Sequence, residues 1–268
     1  MQHSARARSW LSFTFGKLSG AGFAISLFAL FVLHSSSYDL YVFSERLSAP
    51  FLWFVFYVYG MACSLLIDWI GLRFPRMHAI VKTALYLSAG FTFFMIQGIN
   101  AFAVIAGIVG ALCALTFYAG TILSVQHRIF KYGFAIVIPL TLLFVSSIDF
   151  TEKREWKETR TDSTYEASFD YFNGKHEIPI SVEKGETITF SITVKNGNGG
   201  GHGFYVTHDN DRSVAMKEVW TDKLSIFSEE GGTYRIVVTG NGLQGSIQVE
   251  WDVSTSHYTP ALLQGSLP

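Results

Sequence analysis

The sequence predicts an α-helical membrane bundle of about five transmembrane helices, followed by an all-β domain of sandwich or jelly-roll-like type outside the cytoplasm. Three observations carry this reading. Long stretches without Asp, Glu, Lys or Arg recur through Phe150 and then stop. The charge balance reverses at the same place: through Phe150 there are nine Lys+Arg and four acids, a net of +5, and beyond it 11 basic and 17 acidic groups, a net of −6. From Tyr165 onward, apolar and polar residues alternate with the period of a strand. The chain therefore divides into a multipass segment (1–150), a charged linker (151–164), a β domain (165–258) and a tail (259–268).

A helix needs about 20 mostly apolar residues to cross a bilayer. Leu18 to Tyr38 and Leu47 to Ile67 each supply 21 residues free of formal charge. Thr83 to Gln126 supplies 44, enough for two crossings separated by the turn formers Gln97-Gly98-Ile99-Asn100. Tyr132 to Ile148, with 17, is the last, and Pro139 within it predicts a kink.

The basic residues set the orientation. With a cytoplasmic N-terminus, the inside segments hold Arg6, Arg8, Lys17, Arg73, Arg76, Lys82, Arg128 and Lys131, and the outside loops hold only Arg46. An odd number of crossings then places the β domain outside. Trp53 and Trp69, near opposite ends of the second crossing, fit the two interfaces. The alternative for the first run, a signal peptide cleaved after the small residues Ser35, Ser36 and Ser37, leaves the downstream orientation unchanged.

No ionisable residue falls at mid-depth in these runs, since Asp68, Asp149 and His34 read as interfacial, and this speaks against an ion-coupled or proton-coupled transporter. Ala103, Gly107 and Ala111 share a face of the fourth crossing, which predicts close helix packing within the bundle, with homo-oligomerisation through the transmembrane helices as the alternative. Cys63 and Cys113 both lie in apolar runs, so the β domain has no disulfide framework. No haem, quinone or retinal signature is present and no cofactor is expected. Neither half is basic enough for a nucleic-acid partner.

In the second half, Glu152 to Arg160 is a mixed-charge run, read as a solvated linker or a helical extension. Tyr165, Ala167, Phe169 and Tyr171 alternate as a strand and end at Asn173-Gly174, a hairpin signal. Ile188 to Val194, Tyr234 to Val238 and Ile247 to Val253 alternate likewise, and shorter strands fall at 177–182, 204–207, 214–220 and 223–227. Many short strands separated by Gly and Asn turns predict a sandwich. The pattern Gly232 to Val238 followed by Gly245 to Trp251 resembles the closing strands of bacterial secreted sandwich modules, a likeness that implies fold and no function.

Candidate ligand contacts are His202, His208, Asp209 and Asp211, after the glycine-rich stretch Asn196 to Gly203. An even spacing puts the two histidines on one strand face and two carboxylates follow, which is metal-ligating chemistry, but turn capping is the simpler account. The 209–212 run lacks the EF-hand glycine and the closing acid, Val214 and Trp220 standing there instead. No P-loop ending, nucleophile elbow, zinc-peptidase motif or paired carboxylates stand out. The expected role is a noncatalytic envelope protein that binds or senses a protein, glycan or peptide, with membrane lipids around its helices. The alternatives are a transporter or channel component with a regulatory β domain, and then an envelope enzyme.

Overall fold

The computed structural model describes residues 2–96, 98–209, 212–220 and 222–255, with backbone only for residues 2–10. The chain divides into two compact units, Met1–Asp149 and Phe150–Pro268.

The first unit is helical. Helices α1 (Gln2–Ser35), α2 (Leu40–Ser48), α3 (Pro50–Arg73), α4 (Ala79–Met95), α5 (Ala101–Gln126) and α6 (Arg128–Ser146) follow one another. Among the described residues, four segments are long and apolar enough to cross a membrane, namely Leu11–Ser35 of α1, then α3, α5 and α6. The remaining expected crossing is α4, which has only 17 residues and spans about 25 Å against a hydrocarbon core of about 30 Å. Outward-facing side chains are large and apolar, as at Leu72, Ile80, Val125 and Ile129, a surface that suits lipid and not water.

Helix boundaries follow local chemistry. The break between α4 and α5 comes where the sequence predicts it, with Gly98 at φ +122° and the Asn100 side chain accepting from the Ala103 N–H at 2.8 Å as the cap of α5. Asp39 caps α2 in the same way, bonding Val42 at 3.1 Å, and α2 lays Phe43 and Leu47 against Ala29 and Val32 of α1. Just before Pro139 the helix winds as a π-turn over Gly133–Val137, in which Ile138 N–H donates to the Gly133 carbonyl. Pro139 has no N–H to continue that pattern to the Phe134 carbonyl. A Cβ on Gly22 would overlap that carbonyl, so glycine lets α1 approach it. Gly90 and Gly110 meet in the same manner where α4 crosses α5, and Ala103 and Gly107 of the expected small-residue face are buried inside the bundle.

The described residues of the second unit form a nine-stranded antiparallel sheet: β1 (Glu152–Arg154), β2 (Lys157–Arg160), β3 (Thr164–Val182), β4 (Thr187–Asn196), β5 (Gly201–His208), β6 (Arg212–Ser213), β7 (Lys217–Trp220), β8 (Lys223–Phe227) and β9 (Gly232–Ser254). Its frame is the pairing of β3 with β9 along their whole length, from Thr164↔Glu250 to Val182↔Gly232. The first half of β9 lies between β3 and β5, and the second half between β3 and β4.

Both long strands change their inward face midway. Tyr165, Ala167 and Phe169 point to the core before the bend in β3, and Ile178, Ile180 and Val182 after it. In β9, Tyr234, Ile236 and Val238 give way to Ile247, Val249 and Trp251. All twelve belong to one apolar cluster, so the two halves of the sheet face each other as a sandwich whose strands pass from layer to layer. Register shifts around Phe172 make the switch. Gly245, at φ +140°, is obligatory there, because a Cβ would run into the Lys195 carbonyl of β4.

Two local expectations are corrected. Residues 152–160, expected as a linker or helical extension, form edge strands β1 and β2 on β3. Mixed charge suits a solvated edge, and Trp156 between the two strands stacks on Phe169 at 5.0 Å and contacts Phe172 at 5.2 Å, closing the core. The Asn173-Gly174 pair is a bulge inside β3, not a hairpin, and the two segments expected at Tyr234 and Ile247 are a single strand.

A fragment of residues 150–255 is expected to fold on its own and to melt well above a fragment of residues 160–255, which lacks the Trp156 cover. Trp251, opposite Phe190 and 7% exposed, is expected to cost about 3 to 5 kcal/mol when changed to Ala. Changing the exposed Glu250 to Ala should cost under about 0.5 kcal/mol. Chemical denaturation of the four proteins checks both statements.

Candidate functional site

The structure separates the residues singled out from the sequence. His202 lies opposite Gly240, near the bend, and His208 opposite Arg212 at the other end of β5, a distance of about 20 Å along the strand. Asp211 lies outside the described residues. His208 and Asp209 do come together, but on backbone. His208 Nε2–H donates to the Gly231 carbonyl at 2.9 Å, and its ring lies 4.6 Å from that of Tyr234. Asp209 accepts from the Thr233 N–H at 3.3 Å and stands 3.9 Å from Arg235. These contacts fasten the end of β5 to the start of β9. Among the described residues, no group of three or more His, Cys, Asp or Glu is placed to hold a metal ion.

The glycine-rich stretch is also tied down. Asn196 Oδ1 accepts from the N–H groups of Asn198 and Gly199 at 3.2 and 2.8 Å, and Asn198 Nδ2 donates to the Gly242 carbonyl at 2.7 Å. The side chains of the loop thus bind the β9 bend.

His208 nevertheless borders a cleft of about 980 Å³. Its walls come from β4, the β6–β7 segment and the residues leading into β9, and they mix the charges of Arg212, Lys217, Glu218 and Glu230 with the rings of Phe227 and Tyr234. Among the described residues, strand β7 beside it is the last of the sheet, with β8 on one side. Trp220 is 74% exposed and Phe227 54%, unusual for aromatic side chains of a folded domain and typical of contact surfaces.

A second polar site lies in the bundle, and sequence reasoning missed it. Lys17 counts as a cytoplasmic flank when read along the chain, yet in the fold its side chain is 3% exposed and paired with Asp68 of α3. Lys82 of α4 reaches the other carboxylate oxygen at 2.7 Å. Lys17 also donates to Ser64 Oγ at 2.7 Å, which shares a 2.6 Å hydrogen bond with the Tyr86 hydroxyl. Three helices thus converge on one carboxylate. The available signal was helical spacing, because Lys17 shares a face with Ala21, Ala24 and Ile25, all buried. On the other side of Tyr86 lies an apolar cavity of about 530 Å³, walled by Phe28, Val55, Cys63, Phe93 and Cys113 among others.

The edge strands carry a third cluster. Lys153 Nζ donates to His176 Nδ1 at 2.7 Å, and His176 Nε2 lies 3.7 Å from Glu158. Glu158 accepts from Trp156 Nε1 and the Tyr165 hydroxyl at 2.7 and 2.6 Å, hydrogen bonds that lower its pKa. Burial, reinforced by the Lys153 charge, lowers His176 to about 4. The neutral ring, with Nδ1 as acceptor, is sandwiched by Trp156 and Tyr165 at 5.0 and 5.1 Å, so the network locks β1 and β2 onto β3. No protein-family model and no curated protein matches the chain, and the sites are read from their geometry.

Acid sensitivity follows from His176. Its folded pKa of about 4 lies below the ordinary 6.5, so between those values the unfolded chain binds more protons and stability falls as the pH falls. The loss across that window is at most about 3 kcal/mol. Replacing His176 with Gln is expected to flatten the dependence between pH 6.5 and about 4, leaving the carboxylate contribution that is lost at lower pH. Denaturant unfolding of the 150–255 fragment across this range checks it.

Proposed function

We propose that the protein is a polytopic membrane protein with a cytoplasmic N-terminus, whose β domain lies outside and binds an extended segment of an envelope protein without catalysing a reaction. The observation that carries this is the cleft beside β7. A partner segment adding along Glu218 to Trp220 would gain main-chain hydrogen bonds there, while the cleft selects its side chains through charges of both signs and the rings of Phe227 and Tyr234. Exposed Trp220 supplies the kind of aromatic anchor that dominates such interfaces. The basic bias of the helix ends supports the orientation. A second reading, a transport component, is supported by the apolar cavity next to Tyr86, which suits a lipid or apolar solute.

Two measurements test the proposal. In a chain with Cys63 and Cys113 changed to Ala, a cysteine at exposed Asp170 is expected to react with a membrane-impermeant thiol reagent in intact cells, and one at exposed Arg76 only after lysis. The reverse labelling overturns the topology. A photo-crosslinker at Phe227 should capture an envelope protein, and Trp220→Ala should reduce the yield about tenfold or more. Equal yields from Phe227 and from the distant Lys195, or no effect of Trp220→Ala, overturn the binding role. Solute flux in vesicles that Trp220→Ala leaves unchanged would favour the second reading.

A further inference from the structure

The carboxylate shared by three helices borders a cavity of about 500 Å³ at one end of the bundle. Among the described residues that line it, Lys17, Lys82 and Lys131 are basic and Asp68 is the single acid. Asp68 is already divided between Lys17 and Lys82. Lys131, from α6, reaches the Ser12 hydroxyl at 2.9 Å and the Ser12 carbonyl at 3.4 Å. The lining therefore holds a surplus of two positive charges. Its lip has the opposite character, because Phe13, Ile122 and Val125 also line the cavity and are 43%, 43% and 80% exposed on the apolar outside of the bundle.

We propose that this cavity binds the phosphate of an anionic membrane lipid, with the acyl chains running out over Ile122 and Val125. Two uncompensated ammonium groups at a membrane-facing helix end attract an anion. A phosphate offers several acceptor oxygens to donors that converge from different helices, here the ammonium groups of Lys82 and Lys131. The Tyr118 ring, 5.7 Å from Lys82 Nζ, holds that ammonium toward the space. Lys17, saturated by Asp68 and Ser64, acts as a fixed charge behind the site. A soluble phosphate would meet the same charges and leave the apolar lip uncovered, so the lip argues for a lipid. The proposal rests on the membrane-spanning reading of the helices and is independent of the cleft on the β domain.

The test uses the full-length chain in a neutral detergent, titrated with phosphatidylglycerol, phosphatidylcholine or inorganic phosphate and followed by native mass spectrometry. Phosphatidylglycerol is expected to bind at least about tenfold more tightly than phosphatidylcholine, and inorganic phosphate should not displace it. Lys82→Gln and Lys131→Gln should each weaken phosphatidylglycerol about tenfold, the loss expected for a charge-assisted hydrogen bond. Arg76→Gln, in the same basic region but outside the lining, should leave binding unchanged. Equal binding of the two lipids, or an equal loss in Arg76→Gln, overturns the site in favour of diffuse attraction. Displacement by inorganic phosphate overturns the lipid as the source of the phosphate. Lipid-free melting temperatures verify folding, and Lys131→Gln decides the matter by itself if Lys82→Gln is unstable, since Lys131 touches the Ser12 rim and not Asp68.

Discussion

A charge carried into a low-dielectric interior must bring its partner with it, and in this bundle Lys17 and Asp68 meet that requirement. The ammonium projects from the same face of α1 as Ala21 and Ile25, so it cannot turn to water without exposing the apolar stripe above it. Asp68 must therefore stand opposite Lys17, which sets the depth of α3 against α1. Lys82 and Tyr86, held through Asp68 and Ser64, set α4 in turn. Close backbone contacts at Gly22 with Phe134 and at Gly90 with Gly110 then seat α6 on α1 and α5 on α4.

In the β domain the corresponding constraint is that an apolar sheet face has to be covered. Two strands as long as β3 and β9 would leave much of that face in water if they ran flat. Bulging both at the same level turns the inward face over and lets each strand line both layers. The bend needs glycine where β4 crosses closely, and it needs a lid where Phe169 and Phe172 come to the surface. Trp156 is that lid, and the Lys153, His176 and Glu158 network holds it in place. At the far end of the sandwich the short strands β6, β7 and β8 close the layers less completely, and the cleft forms there.

Most of the fold was legible in the sequence, because hydrophobic length and alternation respond directly to the solvent each segment meets. The break at Gly98 and Asn100 was legible for local steric reasons. What escaped was decided by partners distant in sequence. Nothing in Glu152 to Arg160 announces a strand until β3 is beside it, and Asn173-Gly174 fits a hairpin as well as a bulge until β9 is seen to run past both sides. The even spacing of His202 and His208 allowed a shared strand face, and β5 places the two at opposite ends of that strand. Lys17 is the converse case, an ordinary flanking charge whose meaning depends on Asp68, one helix away.

The placement of β9 also shapes how the molecule is made. It is the last strand among the described residues, yet it contributes the pairing surface for β3, β4 and β5. A growing chain therefore reaches the far side of β8 with its three longest earlier strands, β3, β4 and β5, still lacking their shared neighbour, and the sheet assembles around β9 in a late, long-range step. On the proposed topology, that delay would keep the domain threadable while it is exported.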